Sequence, residues 1–310
     1  MNRLSPRALR YLYEVDRLCS LRRAAAHLGV APSAVSRAIA ALEAELDTVL
    51  IERSRRGVRL TSTGAMVVDY YRDSRASERA LLSRIQAVQG LRQGEISIAL
   101  GEGFIADLIS APLRAFMAAY PQIVLTVTMA GAHDAIRQVV DDQVDFALVY
   151  APPPDSRLHT HVATRQPLDL IVPPGHSLAG GGRAVTPAAV QDYPLGVMER
   201  GFGMHQLIDV LAYQDRLRFA PALRTNSVAV LKNFVQSGMG VAFMPQLTVE
   251  AELNRGELEL VLVDHPVLAT AEACIVSRRG RPLSVAAERI MTHLTEGMRF
   301  FSADAPVRLG

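Results

Sequence analysis

The stretch Ser20–Leu46, SLRRAAAHLGVAPSAVSRAIAALEAEL, decides how the rest of the chain is read. Two short Ala-rich amphipathic segments meet at Gly29 and Val30, and the second opens on Pro32, whose missing N–H is no loss at the first position of a helix. The spacing predicts a helix-turn-helix. In the second segment Val35, Ile39, Leu42 and Leu46 recur at steps of four, three and four, one apolar stripe of a 3.6-residue period. With that stripe packed inward, Ser33, Ser36, Arg37 and Ala40 face outward. Small and hydroxylic residues allow close approach to a groove of duplex DNA, and an arginine there reaches a guanine edge or a phosphate. An ordinary surface helix pair is the alternative, because Ala-rich amphipathic hairpins are common.

Beyond Leu46 the run VLIERSRRGVRLT reads as a short apolar strand, an arginine-rich turn from Arg53 to Gly57 and a second strand from Val58. Such a hairpin is a wing, with basic side chains placed to touch the phosphate backbone. The charge distribution agrees. The chain has 310 residues, 49 % of them hydrophobic, and a formal net charge of +2, enough apolar content for two or three cored domains. Residues 1–92 hold sixteen arginines against nine carboxylates, a net +7, which leaves −5 for the remainder. A basic end that carries the helix-turn-helix suggests nucleic-acid binding joined to a body with another task. Lys232 is the only lysine. Cys19 and Cys274 are too few for a disulfide framework or a zinc cluster and fit a reducing cytoplasm. The N-terminal MNRLSPRALRYLYEVDRL lacks a signal-peptide core, and no run reaches the roughly 18 apolar residues of a membrane span. The expectation is a soluble cytoplasmic protein with no membrane partner.

In chain order, Ser5 to Leu18 is expected as a first helix, and Thr61 as the N-cap of a long helix running to about Gln89. Met66, Val67, Tyr70, Tyr71, Ala80, Leu81, Ile85 and Val88 give that helix a partial apolar seam, too long for a small winged domain to cover alone. A partner copy is the simplest cover. After Gly90 and Gly94, β-branched runs (EISIAL, IVLTVTM, DFALVY) alternate with helical patterning, the signature of a parallel sheet in an α/β fold. A second set follows from Leu168, and CIVSRRG with a last helix near Leu283–Met298 returns to the first. The expected boundaries are 1–61 for a winged helix-turn-helix, 62–92 for a linker helix and 93–300 for a two-lobed α/β body. Lobe one takes about 93–164 and 267–300, lobe two about 165–266, and 301–310 form a tail.

Over essentially its whole length the chain resembles a LysR-type transcriptional regulator. The resemblance is carried by ALRYLYEVDRLCSLRRAAAHLGVAPSAVSRAIAALEAEL, IERSRRGVRLTSTG, FMAAYPQIVLTV, VDFALVY, VPPGHSLA and SGMGVAFMP. It implies a bacterial regulator with a winged helix-turn-helix, a linker-helix coiled coil and a periplasmic-binding-protein-like effector domain, assembled as homodimers or homotetramers. Double-stranded operator DNA and RNA polymerase are the implied partners. No cofactor is expected beyond a small-molecule effector held between the lobes. By the resemblance, Pro32, Ser33, Ser36 and Arg37 begin the recognition helix, and Arg53, Arg55, Arg56 and Arg59 form the wing. Arg22 and Arg23 stand where other members usually carry a smaller polar residue at one position, which suggests an extra phosphate contact.

The cleft is also argued from the residues. Gly101-Glu102-Gly103-Phe104 follows the first strand of lobe one, and Arg200-Gly201-Phe202-Gly203 precedes a helix of lobe two. Glycine-bearing loops entering helices turn backbone N–H groups toward an anion, and open α/β sheets bind ligands at the carboxyl ends of their strands. Phe104, Tyr150 and Phe202 are expected as apolar walls, Asn226 and Ser227 as hydrogen-bonding groups, and Arg200 as the partner of a carboxylate. Family members often carry Ser or Thr where Glu102 stands, which leaves room for an amine or a hydroxyl on the ligand. The expectation is therefore an organic acid, or an acid bearing an amine. Two other patterns compete. GEGFIA matches a dinucleotide fingerprint and would make the body a nicotinamide-dependent enzyme, but no acidic residue closes the second strand, IVLTVTMA. His159 and His161 alternate onto one face of a strand without a Cys, Asp or Glu partner, so exposed strand histidines are the better reading than a metal site.

Overall fold

Ser5 accepts a hydrogen bond from the Ala8 N–H, and Pro6 occupies the first helical position, so α1 (Pro6–Leu18) starts where local chemistry puts it. The computed structural model describes residues 4–54, 57–88, 94–179 and 184–302. The chain divides into two compact units, residues 1–79 and 80–310.

In the first unit, α2 (Leu21–Leu28) is capped by the Ser20 hydroxyl and ended by Gly29 at φ +67°, a left-handed turn that glycine adopts without strain. Next comes α3 (Pro32–Leu46), which buries Val35, Ile39 and Leu42 at 0–1 % exposure, while Leu46 is only partly covered. The strands β1 (Ile51–Ser54) and β2 (Gly57–Leu60) pair antiparallel, Glu52 opposite Arg59 and Arg53 opposite Val58. Thr61 then caps α4 (Ser62–Val88) through the Gly64 N–H at 2.9 Å. One core holds the unit together. It takes Leu9, Leu12 and Val15 of α1, Ala24 and Ala25 of α2, the α3 stripe, Leu50, Ile51, and Val68 from the first turns of α4.

The second unit has two lobes, each built on a five-stranded mixed sheet. The first lobe contains β3 (Gly94–Leu100), α5 (Ile105–Ser110), α6 (Pro112–Ala119), β4 (Ile123–Met129), α7 (Ala132–Val140), β5 (Phe146–Tyr150) and β6 (Leu158–Arg165). The second contains β7 (Leu168–Val172), β8 (Leu195–Met198), α8 (Gly203–Gln214), β9 (Pro221–Thr225), α9 (Val228–Gln236), β10 (Val241–Pro245), α10 (Glu250–Asn254), β11 (Glu259–Val261) and α11 (Pro266–Ala269). Then β12 (Glu272–Arg278) and α12 (Val285–Gly297) close the first lobe. Strand orders are β4-β3-β5-β12-β6 and β11-β7-β10-β8-β9. In each lobe three neighbouring strands run parallel: β4, β3 and β5 in one, β10, β8 and β9 in the other.

The chain crosses between lobes twice. The first crossing is at Gln166–Pro167. The second follows α11, whose Leu268 is still packed in the second lobe's core. The crossings touch: the Gln166 N–H donates to the Ala271 carbonyl at 2.8 Å, and the Gln166 amide donates to the Phe300 carbonyl at 2.9 Å. Gln166 is buried, so its polar atoms depend on these partners. Among the described residues no single helix is long and apolar enough to cross a membrane, and no group of three or more His, Cys, Asp or Glu side chains could hold a metal ion.

Candidate functional site

The first candidate surface lies on the helix-turn-helix. The axes of α2 and α3 turn through 110°, within the range of helix-turn-helix motifs. With the apolar stripe of α3 buried, Pro32, Ser33 and Arg37 are exposed, and Ser36 is partly so. Arg22 and Arg23 are exposed on the first turn of α2. In the hairpin, Arg53 and Arg59 are exposed; Arg55 and Arg56 lie outside the described residues. Arg53 reaches across and donates from Nη2 to the Ser36 hydroxyl at 3.0 Å, which ties the wing to the recognition helix.

Two features that fix the wing were not read from the sequence. Glu43 on α3 accepts from the Leu50 and Ile51 N–H groups at 2.8 and 3.3 Å, holding the entry to the hairpin. Gly57 sits at φ +123° with the Cys19 carbonyl 2.8 Å from where a Cβ would stand, and Val58 donates to that same carbonyl at 3.2 Å. The only sequence signal for either was the glycine in a basic turn.

The second candidate surface lies between the lobes, where a cavity of about 490 Å³ includes some open solvent at its mouth. Of the residues expected there, Glu102, Gly103, Phe104, Tyr150 and Phe202 line it. Phe104 is buried against Phe300, ring centroids 4.6 Å apart. The Tyr150 hydroxyl donates to the Gln166 carbonyl at 2.8 Å. Met204, Leu148, Val228, Pro245 and Thr248 complete most of the wall. Arg200 and Asn226 are exposed and outside the lining, and Ser227 borders the site as the N-cap of α9. Among the described residues the lining contains no Arg, Lys or His.

Glu102 is placed differently from the expectation that it meets a ligand amine. Its carboxylate accepts from the Val228 N–H at 2.5 Å, the Ala229 N–H at 3.1 Å and the Ser227 hydroxyl at 3.3 Å. A lobe-one side chain thus satisfies the first turn of a lobe-two helix. The lobes meet elsewhere as well. The His133 N–H donates to the Gly201 carbonyl at 3.0 Å, Arg299 pairs with Glu250, and a Cβ on Gly203 would stand 1.9 Å from the Tyr150 carbonyl.

His159 and His161 sit on β6 with rings 4.5 Å apart, and His161 Nε2 lies 2.7 Å from the Ser277 hydroxyl. Burial holds the His161 imidazole below its ordinary range, and the neighbouring His159 adds to the effect.

Comparison with known proteins agrees with both halves. Residues 6–65 match the model described as bacterial regulatory helix-turn-helix protein, lysR family, and residues 89–299 match the LysR substrate binding domain. The HTH-type transcriptional regulator CbbR of Sinorhizobium medicae is 29 % identical over 273 residues, 86 % of this chain and 85 % of that protein. A variant of full-length OxyR from Pseudomonas aeruginosa has a TM-score of 0.67 at 18 % identity, covering 96 % of each chain. Full-length CbnR in complex with its target DNA has a TM-score of 0.52 at 20 % identity, covering 94 % of this chain and 99 % of that one. Helix-turn-helix and two-lobed body together define a DNA-binding regulator with an effector-binding domain. The chain belongs to the LysR family of transcriptional regulators. These are regulators rather than enzymes, so the nicotinamide reading of GEGFIA falls away. In its place that loop carries Glu102 to the opposite lobe.

Proposed function

We propose that this regulator reads operator DNA with the start of α3 and answers to a small organic molecule bound between its lobes. Ser33, Ser36 and Arg37 then face the groove, with Pro32 setting the helix start. Arg22, Arg23, Arg53, Arg55, Arg56 and Arg59 are assigned to phosphates. The observation that carries the reading is the split of α3. Val35, Ile39 and Leu42 are fully buried while Ser33 and Arg37 are exposed, and the wing's Arg53 is bonded to Ser36 on the same helix.

The apolar seam of α4 supports assembly into homodimers and homotetramers, since Met66, Tyr70, Leu81, Leu82 and Ile85 are all exposed in the single chain. Two winged units per dimer would read two half-sites about one helical turn, or a multiple of it, apart. RNA polymerase in the cytoplasm is the downstream partner that this role requires. Ligand in the cleft would favour one arrangement of the assembly and so shift the spacing of the winged units, which requires different affinities for the two arrangements.

Selection of bound sequences from a randomised duplex pool, followed by footprinting of the winners, tests the reading. A recovered motif with two half-sites supports it; a pool that stays random after repeated rounds contradicts it.

A further inference from the structure

Glu102 leaves the end of β3 on the first lobe, yet both its oxygens are bonded to the second. The donors are the backbone N–H groups of Val228 and Ala229, the first two residues of the nine-residue helix α9, and the hydroxyl of its N-cap, Ser227. Ser227 Oγ in turn accepts from the Val230 N–H at 3.3 Å. The unpaired donors of a helix's first turn are where an anion from outside the chain would bind. Here they are filled from within. Independently, the cavity beside this contact is walled by Phe104, Tyr150, Phe202, Met204 and Phe300 and offers no Arg, Lys or His to a second negative charge. Among the described residues its one charged side chain is Glu102 itself. An organic acid entering the cleft would lose its hydration, find no cation, and meet a carboxylate already seated.

We infer that Glu102 is the cleft's own anion, a tethered carboxylate that joins the lobes across the cavity, and that the ligand admitted beside it is an uncharged, largely apolar organic molecule. This rests on the cleft being the effector site. It replaces the expectation of an organic acid paired with Arg200, which is exposed and away from the lining.

Chemical rescue tests the assignment on the full-length protein. Glu102→Ala empties the seat, and Glu102→Gln fills it with an uncharged side chain of nearly the same shape. Thermal unfolding is followed with sodium acetate or sodium benzoate as probe, against sodium chloride at equal ionic strength. The Glu102→Ala midpoint is expected to fall by roughly 4–8 °C, the scale of lost charge-assisted hydrogen bonds in a unit of this size. Acetate should restore at least about half of that drop saturably, as binding linkage requires. Wild type and Glu102→Gln should gain nothing from either anion beyond the chloride control. If Glu102→Ala does not fold in chloride, recovery of its native circular dichroism in acetate is the same result. Saturable binding of benzoate or acetate to wild type overturns the inference, as does equal response of wild type and Glu102→Ala, or no response of Glu102→Ala. None of these readouts involves DNA, so a failure of operator binding would count against the proposed function and leave this test standing.

Discussion

Cys19 and Cys274 show how position sets the chemistry of one residue type. Cys19 is exposed at the end of α1, where it is left-handed at φ 49° and its carbonyl takes the Val58 N–H. Cys274 is buried in β12, and burial with the nearby Glu272 pushes its thiol up to about 12. The thiolate is the reactive form, so iodoacetamide near pH 8 should modify Cys19 and spare Cys274, as mass spectrometry of the native protein will show. Modification of Cys274 at a comparable rate would contradict its burial. Glu43 makes a second case. Its carboxylate holds two backbone donors at the hairpin entry, so Glu43→Ala should cost the winged unit about 1–3 kcal/mol in chemical denaturation, whereas Arg22→Ala on the exposed face should cost little.

Residue roles of this kind were legible only where the partner is close in sequence. Ser5 and Thr61 could be placed as a helix start and a cap because a cap bonds two or three residues away. Glu102 bonds 126 residues away at Val228, and nothing in GEGF announces it. Arg200 stood in the right loop, but a loop's identity does not fix where a side chain beside a glycine at φ +97° will point.

Among the elements, periodicity was informative wherever one face is buried. The stripe of α3 and the runs of β3 and β5 read directly, because their apolar residues meet a core. On α4 the pattern serves two purposes. Val67, Val68 and Tyr71 join the core of the winged unit, whereas Met66, Tyr70, Leu81, Leu82 and Ile85 stay exposed. Sequence pattern alone does not separate the two. Leu82→Glu should therefore leave the winged unit folded and lower the assembly state, read by analytical ultracentrifugation, with a matching loss of affinity for a duplex carrying two half-sites; an unchanged assembly would remove the seam from the interface. Close approach between elements has its own test. Gly203 opens α8 against the end of β5, so Gly203→Ala forces a methyl into the Tyr150 carbonyl. A destabilisation of the second unit of about 1–3 kcal/mol, or more if the backbone cannot yield, is expected by calorimetry.

At the scale of the molecule, charge and chemistry divide as the fold does. The basic end holds the helix-turn-helix and its wing, and the acidic remainder holds two lobes joined by paired crossings at Gln166 and Ala271. That division was visible from the arginine count and from the change to alternating strands after Gly94. The contacts that join the lobes were not visible, because they run between residues far apart in the chain, from 49 positions for Arg299 and Glu250 to 126 for Glu102 and Val228. In the proposed function α3 reads bases while its wing holds phosphates. The direct measurement is the equilibrium affinity of wild type, Arg37→Ala and Arg59→Ala for a selected duplex and a scrambled one, across a range of salt. Arg37→Ala should lose discrimination between the duplexes, by about 1–3 kcal/mol for a base contact. Arg59→Ala, on the exposed wing, should weaken binding to both about equally and lower the salt slope by about one. Equal behaviour of the two variants, with discrimination unchanged in both, would contradict it.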